Sequence, residues 1–569
     1  MFAARRAAAA ASPSVAARRA SPSVAARRAS PSEHAGSIAR RVDYPVESFT
    51  EEERARLAPH VTNLDRPVFA LVNLPETVKG ALFARYSRYP GTLRRLLLDE
   101  FADDLPEGRE PFDGAEGERA STLYERVFLG YGDDSVAQLG GAHIACEWVS
   151  NILTKVLQRP RLGAYLEQST RYIAYDRPMA GGGYRYYRDR DLGATYVAAM
   201  DALFDAYADA LPRVQAWASE RFARAEDVAP GAHQRALRAK SLDLLRGLLP
   251  AASLSHMGIF ASGQTYEQLI LHLLAHPLPE AREYGTMILD AVGDVIPSFV
   301  TRVKRPERGG EWIGYLRERA GTAERIASRL GLDRREHQDV PSVRLLSVHG
   351  GQEDVLAALL FEASTLSELD AREAVGTLDA EEQAALLVEL VGERRNRRHR
   401  PGRGLEAVRY RFEVVADYGA FRDLQRHRML TIQWQSLTPD LGAGVPGEID
   451  DAGVGDAYRQ ALERSRAEYE RLVDEGLAGA APYALCLGYR IRFVLDLNAR
   501  AAMQLIELRS GREGHPTYRA VAHELHAQIA DVHPGIGAAM THVDIETEPR
   551  LERVLSEMRA QRRAAVTSG

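Results

Sequence analysis

Two short basic triplets constrain the architecture of this chain more than anything else in it. R-P-R at 159–161 and R-H-R at 426–428 start 267 residues apart. Each follows a helix or loop, precedes a Gln-Ser-containing segment by five to eight residues, and leads into a long helical tail. A period of that length is the size of a domain rather than of a solenoid unit. With 569 residues the chain is too long for one ordinary core, so the spacing predicts two tandem domains.

Composition narrows the class. Hydrophobic content of 45% and charged content of 27% are those of a globular protein. A net charge of −6 does not favour a nucleic-acid-coating protein, although RNRRHRPGR at 395–403 is locally very basic. No apolar run approaches the roughly 18 residues of a membrane span. Cys146 and Cys486, the two cysteines, fit neither a disulfide scaffold nor a cysteine-built zinc site, and suit a reducing compartment. Both stand in apolar stretches, IACEWV and ALCLGY, which keep a thiol protonated. No His-Glu-x-x-His, Gly-x-Gly-x-x-Gly or phosphate-loop pattern occurs, so no metal site is expected. AARRASPSV at 16–24 recurs as AARRASPSE at 25–33, with no acidic residue before Glu33. Residues 1–40 therefore read as a disordered tail, either a repeat expansion or an organelle transit segment. The expected location is cytoplasmic, with organelle targeting by the tail left open.

Periodicity predicts helices over ETVKGALFARY and TLRRLLLDEF, broken at Tyr89-Pro90-Gly91, and a helix from about Ala142 to Leu157. YLEQSTRYIAY reads as extended, with Glu167, Ser169 and Arg171 sharing one face. KSLDLLRGLLPAASLSHMGIF reads as helix with Pro250 at a kink or boundary. A charged bridge spans 304–342 and includes a helix at GEWIGYLRERAGTAERIASRL and a loop at 331–341. VRLLSV (343–348) and LEAVRYRFEVV read as strands. Residues 352–392, 455–477, 481–509 and 515–531 read as helical.

Three groups of residues point to chemistry. Arg426 and Arg428 could hold a phosphorylated ligand through guanidinium forks, or form a surface ion-pair cluster. Glu167, Ser169 and Arg171 put an acceptor, a donor and a cation together, which suits a nucleotide or a salt-bridged strand face. In LNARAAMQLIELRSGREGHP, Asn498 and Arg509 lie about three turns apart on nearly the same side of a helix, and Arg500 neighbours Gln504.

Together these pieces resemble the flavin-dependent thymidylate synthases, whose signature has the form R-H-R-x-x-S-x-N-E-x-S-x-R-Y, followed later by N-x-R and an L-R pair. The resemblance covers about 65–300 and 343–545, as two copies degraded differently. The first reads R-P-R-L-G-A-Y-L-E-Q-S-T-R-Y. It keeps Glu167, Ser169, Arg171 and Tyr172, and has Pro160, Ala164 and Leu166 at the positions of the His, the first Ser and the Asn. Ser262 and Gln264 stand at its N-x-R, and Leu273 at its late arginine. The second copy keeps Arg426, His427, Arg428, Asn498, Arg500 and Arg509, but has Thr431, Gln433, Trp434, Thr438 and Pro439 at signature positions, and Pro482 where the first copy has Arg246.

The resemblance implies an α/β (α+β), helix-rich fold of two tandem thymidylate-synthase-complementing-type domains. Its boundaries are a tail at 1–40, domains at 41–303 and 343–545 joined by a linker at 304–342, and a C-terminal tail at 546–569. It implies methylation of dUMP to dTMP with FAD as cofactor and NADPH and methylenetetrahydrofolate as co-substrates. Glu167, Gln168, Ser169, Arg171 and Arg246 would bind the nucleotide. Arg426, His427, Arg428, Asn498, Arg500 and Gln504 would hold the flavin, and Arg509 would activate the uracil. Family sites lie between subunits of a homotetramer, so a homodimer of the fused chain would form a pseudo-tetramer. One class of interface would join the surviving halves of the two motifs, and the opposite class would lack both. The folate contacts are diffuse: YGDDSV (131–136) has Asp where the family usually has His, and His399 is the counterpart in the second copy. The alternatives are a flavin enzyme acting at C5 of another pyrimidine nucleotide, a non-catalytic nucleotide-binding scaffold, and an RNA-binding protein using 395–403. The substitutions at Thr431, Gln433 and Trp434 are the sequence-level ground for a changed substrate. Neither a membrane nor a nucleic acid is an expected partner.

Overall fold

The repeat in the sequence is a repeat of topology. The computed structural model describes residues 44–45, 47–105, 118–126, 134–179, 182–332, 342–547 and 550–567. The N-terminal repeat, most of the 331–341 loop and the first half of the 131–136 stretch lie outside them.

The first half builds a four-stranded antiparallel sheet from β1 (Val68–Ala70), β2 (Gly141–Ser150), β3 (Gly163–Glu167) and β4 (Leu254–Ser262), in the order β1-β2-β4-β3. The second half repeats it with β5 (Val343–His349), β6 (Arg409–Asp417), β7 (Thr431–Trp434) and β8 (Arg490–Asn498), in the order β5-β6-β8-β7. In each half the second strand runs into a seven-residue helix, Asn151–Leu157 or Tyr418–Leu424. In each, the last strand runs into Gly263–Ala275 or Ala499–Arg509. These junctions are capped alike: Ser150, Asp417, Ser262 and Asn498 each accept a bond from a backbone N–H of the first turn.

Three expected helices are corrected here. Residues 142–150 form β2, 254–262 form β4 and 490–498 form β8. β2 and β4 are central strands covered on both faces, and nearly every residue of β2 is buried. A strand buried on both sides is a continuous apolar run, which periodicity does not separate from a buried helix. β2 also carries a bulge between Cys146 and Val149, with Trp148 at φ 58°, that β6 lacks.

The halves meet around a local two-fold axis. Pro250 pairs with Cys486 in an antiparallel bridge. Around it, Ala251 N donates to Leu485 O (2.7 Å) and Leu487 N to Leu249 O (2.8 Å), while Ala252 N donates to Tyr483 O (3.0 Å) and Gly488 N to Gly247 O (2.9 Å). These are two reciprocal pairs, because each donor position in one half matches the donor position of the other. The crossing is close: a Cβ at Gly488 would lie 3.1 Å from the Gly247 carbonyl oxygen. Long helices at Gly193–Arg221 and Gly455–Asp474 flank the axis and pack on each other. The first half adds a helix, Pro230–Leu245, that the second lacks. From 42 onward the chain forms one contact-dense unit. Among the described residues no helix is long and apolar enough to cross a membrane.

Glu280 ties the halves together with no cationic partner among the described residues. Its carboxylate accepts bonds from Ser150 N (2.8 Å), Ser150 Oγ (2.6 Å) and, across the interface, Tyr483 Oη (2.6 Å). Burial pushes its carboxyl up to about 7 from an ordinary 4.5. A folded-state value above the unfolded one means the native state binds the extra proton between those limits. The stabilisation from Glu280 is therefore complete below pH 4.5 and lost as pH rises through 7. Other carboxylates slope the other way, so the expected result is a difference. Glu280→Gln should gain on the wild type by about 3 kcal/mol between pH 5 and 8. Urea midpoints of both proteins across that range check it; parallel pH profiles would refute it.

Candidate active site

A cavity of 360 Å³ lies between the halves, and both surviving motif fragments face it. Its wall includes Glu167, Ser169, Arg171 and Tyr172 from the first half and Asp423, Arg426, Arg428 and Arg509 from the second. Six arginines and three carboxylates line it, an excess of positive charge that suits an anionic ligand.

The first-half side chains arrive on the end of β3. After Glu167 the chain turns, with Tyr172 N bonded to Ser169 O at 3.3 Å, so the expected extended face stops at the strand end. Ser169 and Arg171 still reach the cavity. Gln168 does not: its amide donates to Tyr89 O (2.6 Å) and accepts from Arg185 in the interior. The expectation that Gln168 binds the nucleotide therefore draws no support from this cavity. Arg171 makes a forked pair with Asp243, 2.6 Å from Nε to Oδ1, and donates to Tyr518 Oη at 3.1 Å.

Glu167 is a buried hub. It accepts from Lys155 Nζ (2.9 Å) and Gln158 Nε2 (2.9 Å) of its own half, and from Arg422 (2.6 Å) and Arg426 (3.2 Å) of the other. These cations hold its carboxyl well below the usual range against the cost of burial. Burial in turn pulls Lys155 down to about 8. Asp423 neutralises the opposite wall, 3.2 Å from Arg246, 3.7 Å from Arg426 and 3.9 Å from Arg509. His427 accepts the Nε–H of Arg509 at 2.9 Å. Burial and the adjacent guanidinium keep its pKa well below an ordinary imidazole. His427 thus orients Arg509.

The remaining expected residues are divided between two other cavities. Asn498, Arg500 and Gln504 line a basic cavity of 460 Å³ with Arg394, Arg397, Arg398, Arg400 and Met429. Arg394 is paired with Glu507 and Arg500 with Glu406, while Arg397, Arg398 and Arg400 have no ion-pair partner among the described residues. The segment 426–429 therefore forms part of both walls, Arg426 and Arg428 on one and Met429 on the other. Asn498 caps the helix that ends at Arg509, so these two occupy different cavities although one helix carries them. Arg246 lines a third cavity of 320 Å³ with Lys240, Asp417 and His515, behind Asp423.

The symmetry-related position has lost its charges. Strand register puts Glu167 opposite Met257, five residues before Ser262, and Trp434 opposite Phe493, five before Asn498. Trp434 thus replaces Glu167. The Arg159 guanidinium lies 5.5 Å from its ring centroid, where Arg426 meets Glu167 on the other side. Arg161 donates to Thr431 Oγ1 at 2.9 Å. Leu273, fully buried, stands for Arg509. None of Thr431, Gln433 and Trp434 lines the 360 Å³ cavity. Both cysteines are buried and free, with burial pushing Cys486 up to about 12, so neither is poised as a thiolate.

Lys155, Arg422, Asp423 and Asp243 were missed in the sequence. A usable signal existed: Lys155 precedes Arg159 by four residues and Arg422 precedes Arg426 by four, so each basic triplet has a cation one helical turn upstream.

Two domains of one α+β topology, fused about a two-fold axis and sharing one cationic cavity, define an internally duplicated protein. The family model described as "Thymidylate synthase complementing protein" matches residues 95–298 and again 344–535, and the chain belongs to that family as a tandem duplication. A UPF0159 protein of Chlamydia muridarum (strain MoPn / Nigg) is 38% identical over 530 residues, 90% of this chain and 98% of that one. A UPF0159 protein of Thermoplasma acidophilum is 30% identical over 511 residues, 84% of this chain and 98% of that one. Among solved structures, the UMP/dUMP methylase PolB from Streptomyces cacaoi bound with 5-Br dUMP is 23% identical, over 36% of this chain and 97% of that one, with a TM-score of 0.29.

Proposed function

We propose that the chain methylates a uracil nucleotide at C5, converting dUMP to dTMP with methylenetetrahydrofolate, FAD and NADPH. One observation carries this reading: Ser169 and Arg171 of one motif copy and Arg426, Arg428 and Arg509 of the other line one cavity within a single chain. In sum, the one-carbon unit passes from the folate to C5, whose proton leaves, a hydride from NADPH reduces it to a methyl, and tetrahydrofolate, its two nitrogens reprotonated with net uptake of one proton, leaves with NADP⁺.

The chain's own groups supply binding and electrostatics. Ser169 and Arg171 would hold the nucleotide, and the Asp243 fork fixes Arg171 before any ligand arrives, which supplies proximity. Arg509, oriented by His427, would stabilise negative charge developing on the uracil ring. The basic cavity fits a flavin dinucleotide, since Arg397, Arg398 and Arg400 offer uncommitted donors to a pyrophosphate beside Asn498, Arg500 and Gln504. When bound there, the flavin would relay the hydride. The shared segment 426–429 would connect the two ligands. A homodimer completing a pseudo-tetramer belongs to the same proposal, as do the domain boundaries 41–303 and 343–545.

The test is dTMP formation by the purified chain from dUMP, methylenetetrahydrofolate and NADPH under low oxygen, with and without FAD, and with UMP in parallel. FAD-dependent dTMP is the expected product. Methylation of UMP alone would move the reading to another pyrimidine nucleotide. Neither product, with no flavin bound, would leave a scaffold.

A further inference from the structure

Arg553 lies beyond both stretches matched to the family, yet it lines the same 360 Å³ cavity. It is only 5% exposed, and its Nη1 is a buried donor without a hydrogen-bond partner. Its near neighbours are Asp243, 3.7 Å from Nη2, and the Tyr172 ring, whose centroid is 4.3 Å from its Cζ. A buried donor of a charged group left unsatisfied is costly, so such a group is commonly completed by something that binds.

The segment carrying Arg553 is firmly seated. Leu551 packs with Ala218, Ala236 and Leu237, Glu552 accepts from buried Lys240 at 2.9 Å, and Glu557 pairs with Arg235 at 2.6 Å. Four of these anchors, Arg235, Ala236, Leu237 and Lys240, lie on the Pro230–Leu245 helix that the second half lacks. The wall is therefore an addition particular to the first-half side of the cavity. A second guanidinium, Arg88, lies 4.5 Å from the Tyr172 ring centroid and has no carboxylate partner among the described residues. Around Tyr172, then, Arg171 and Arg553 share one carboxylate, Asp243, and Arg88 pairs with none among the described residues. Close cations repel unless an anion lies among them. The excess of two positive charges matches a phosphomonoester dianion.

We propose that Arg553, with Arg88 at the rim, forms a phosphate subsite of this cavity and donates to the phosphomonoester of the bound nucleotide. The inference rests on the nucleotide reading above for the identity of the ligand, but not on the reaction.

The test is calorimetric titration of the full-length protein with dUMP, deoxyuridine and inorganic phosphate. Arg553→Gln should weaken dUMP roughly 10- to 100-fold, as expected for loss of a charged hydrogen bond, and leave deoxyuridine within about two-fold. Arg553→Lys should recover part of the loss. If Arg553→Gln fails to fold, Arg88→Gln at the exposed rim supplies the same comparison, with a smaller dUMP-specific loss. Equal weakening of dUMP and deoxyuridine, or no change in either, would overturn the subsite, as would a wild type that binds neither dUMP nor phosphate. A wild type that binds dUMP through Arg553 but makes no methylated product would retain the subsite and remove the proposed reaction. Product formation with dUMP affinity indifferent to Arg553 would do the reverse.

Discussion

Glu167→Ala should destabilise the native state by about 3–5 kcal/mol, the usual penalty for removing one partner of a buried ion pair. The magnitude follows from what is left behind. Lys155 and Arg422 are 1% and 6% exposed, and Glu167 is the carboxylate that meets both. Without it two cations remain in a low-dielectric interior, joined by Arg426 nearby. Lys155 can shed its proton, since burial already brings it to about 8, but an arginine cannot. The cost should therefore lie at the upper end of that range and should fall at alkaline pH. The wild type has its own pH signature: a carboxyl held below its unfolded value stabilises above about pH 4.5 and loses that term as pH falls through the folded value. The symmetry mate provides a control, because Trp434→Leu removes a cation–π contact with Arg159 and a ring contact with Phe421 but strands no buried charge, and should cost about 1 kcal/mol beyond lost packing. Urea midpoints of the three proteins decide it. A Glu167→Ala protein within 1 kcal/mol of the wild type would mean that the four-donor hub does not hold the halves together.

Arg509→Ala should lower the turnover of dUMP by about 100- to 1,000-fold, the range found on removing a preorganised charge-stabilising donor. Arg509 is nearly buried, its Nε is committed to His427, and its closest carboxylate oxygen is 3.9 Å away on Asp423. The guanidinium is thus oriented but not neutralised by a tight pair. Arg509→Lys should recover little, because an ammonium does not reproduce the planar fork. His427→Leu should reduce turnover less than Arg509→Ala, since it leaves the charge and removes only its orientation. Initial rates with saturating cofactors measure all three. Should Arg509→Ala keep more than a tenth of wild-type turnover, the charge that matters lies on another arginine of the cavity, with Arg171 and Arg428 next to be replaced.

The family, the duplication and most candidate side chains were legible in one dimension because they are chemical identities at fixed spacing. R-H-R, E-x-S-x-R-Y and N-x-R survive as text, and the offset between the two triplets marks the repeat. β5 was legible as a short apolar run and β6 as a strand whose buried residues largely alternate. β2 and β4 were not, since burial on both faces erases the period that distinguishes a strand from a helix, whereas β8 alternates in burial but lies inside the run 481–509 that reads as helical. Gln168 was expected at the nucleotide with Glu167 and Ser169, while its side chain bonds Tyr89 and Arg185 in the interior, contacts that the motif does not record.

The sequence by itself determined that two copies of one domain exist and that each has lost what the other kept. Which losses matter was decided by the tertiary structure. The two-fold axis at Pro250 and Cys486 brings the ionic remnants of both copies to one side, and Trp434 with Leu273 to the other. Glu167 is a hub rather than an exposed acceptor because Arg422 and Arg426 arrive from more than 250 positions away, which no local pattern records. Arg553 reaches the cavity for the same reason: its place is fixed by Leu551 and Glu552 docking on a helix some 310 residues earlier. Residue type sets what a side chain can do, but long-range packing chooses its neighbours, and burial among those neighbours sets its charge.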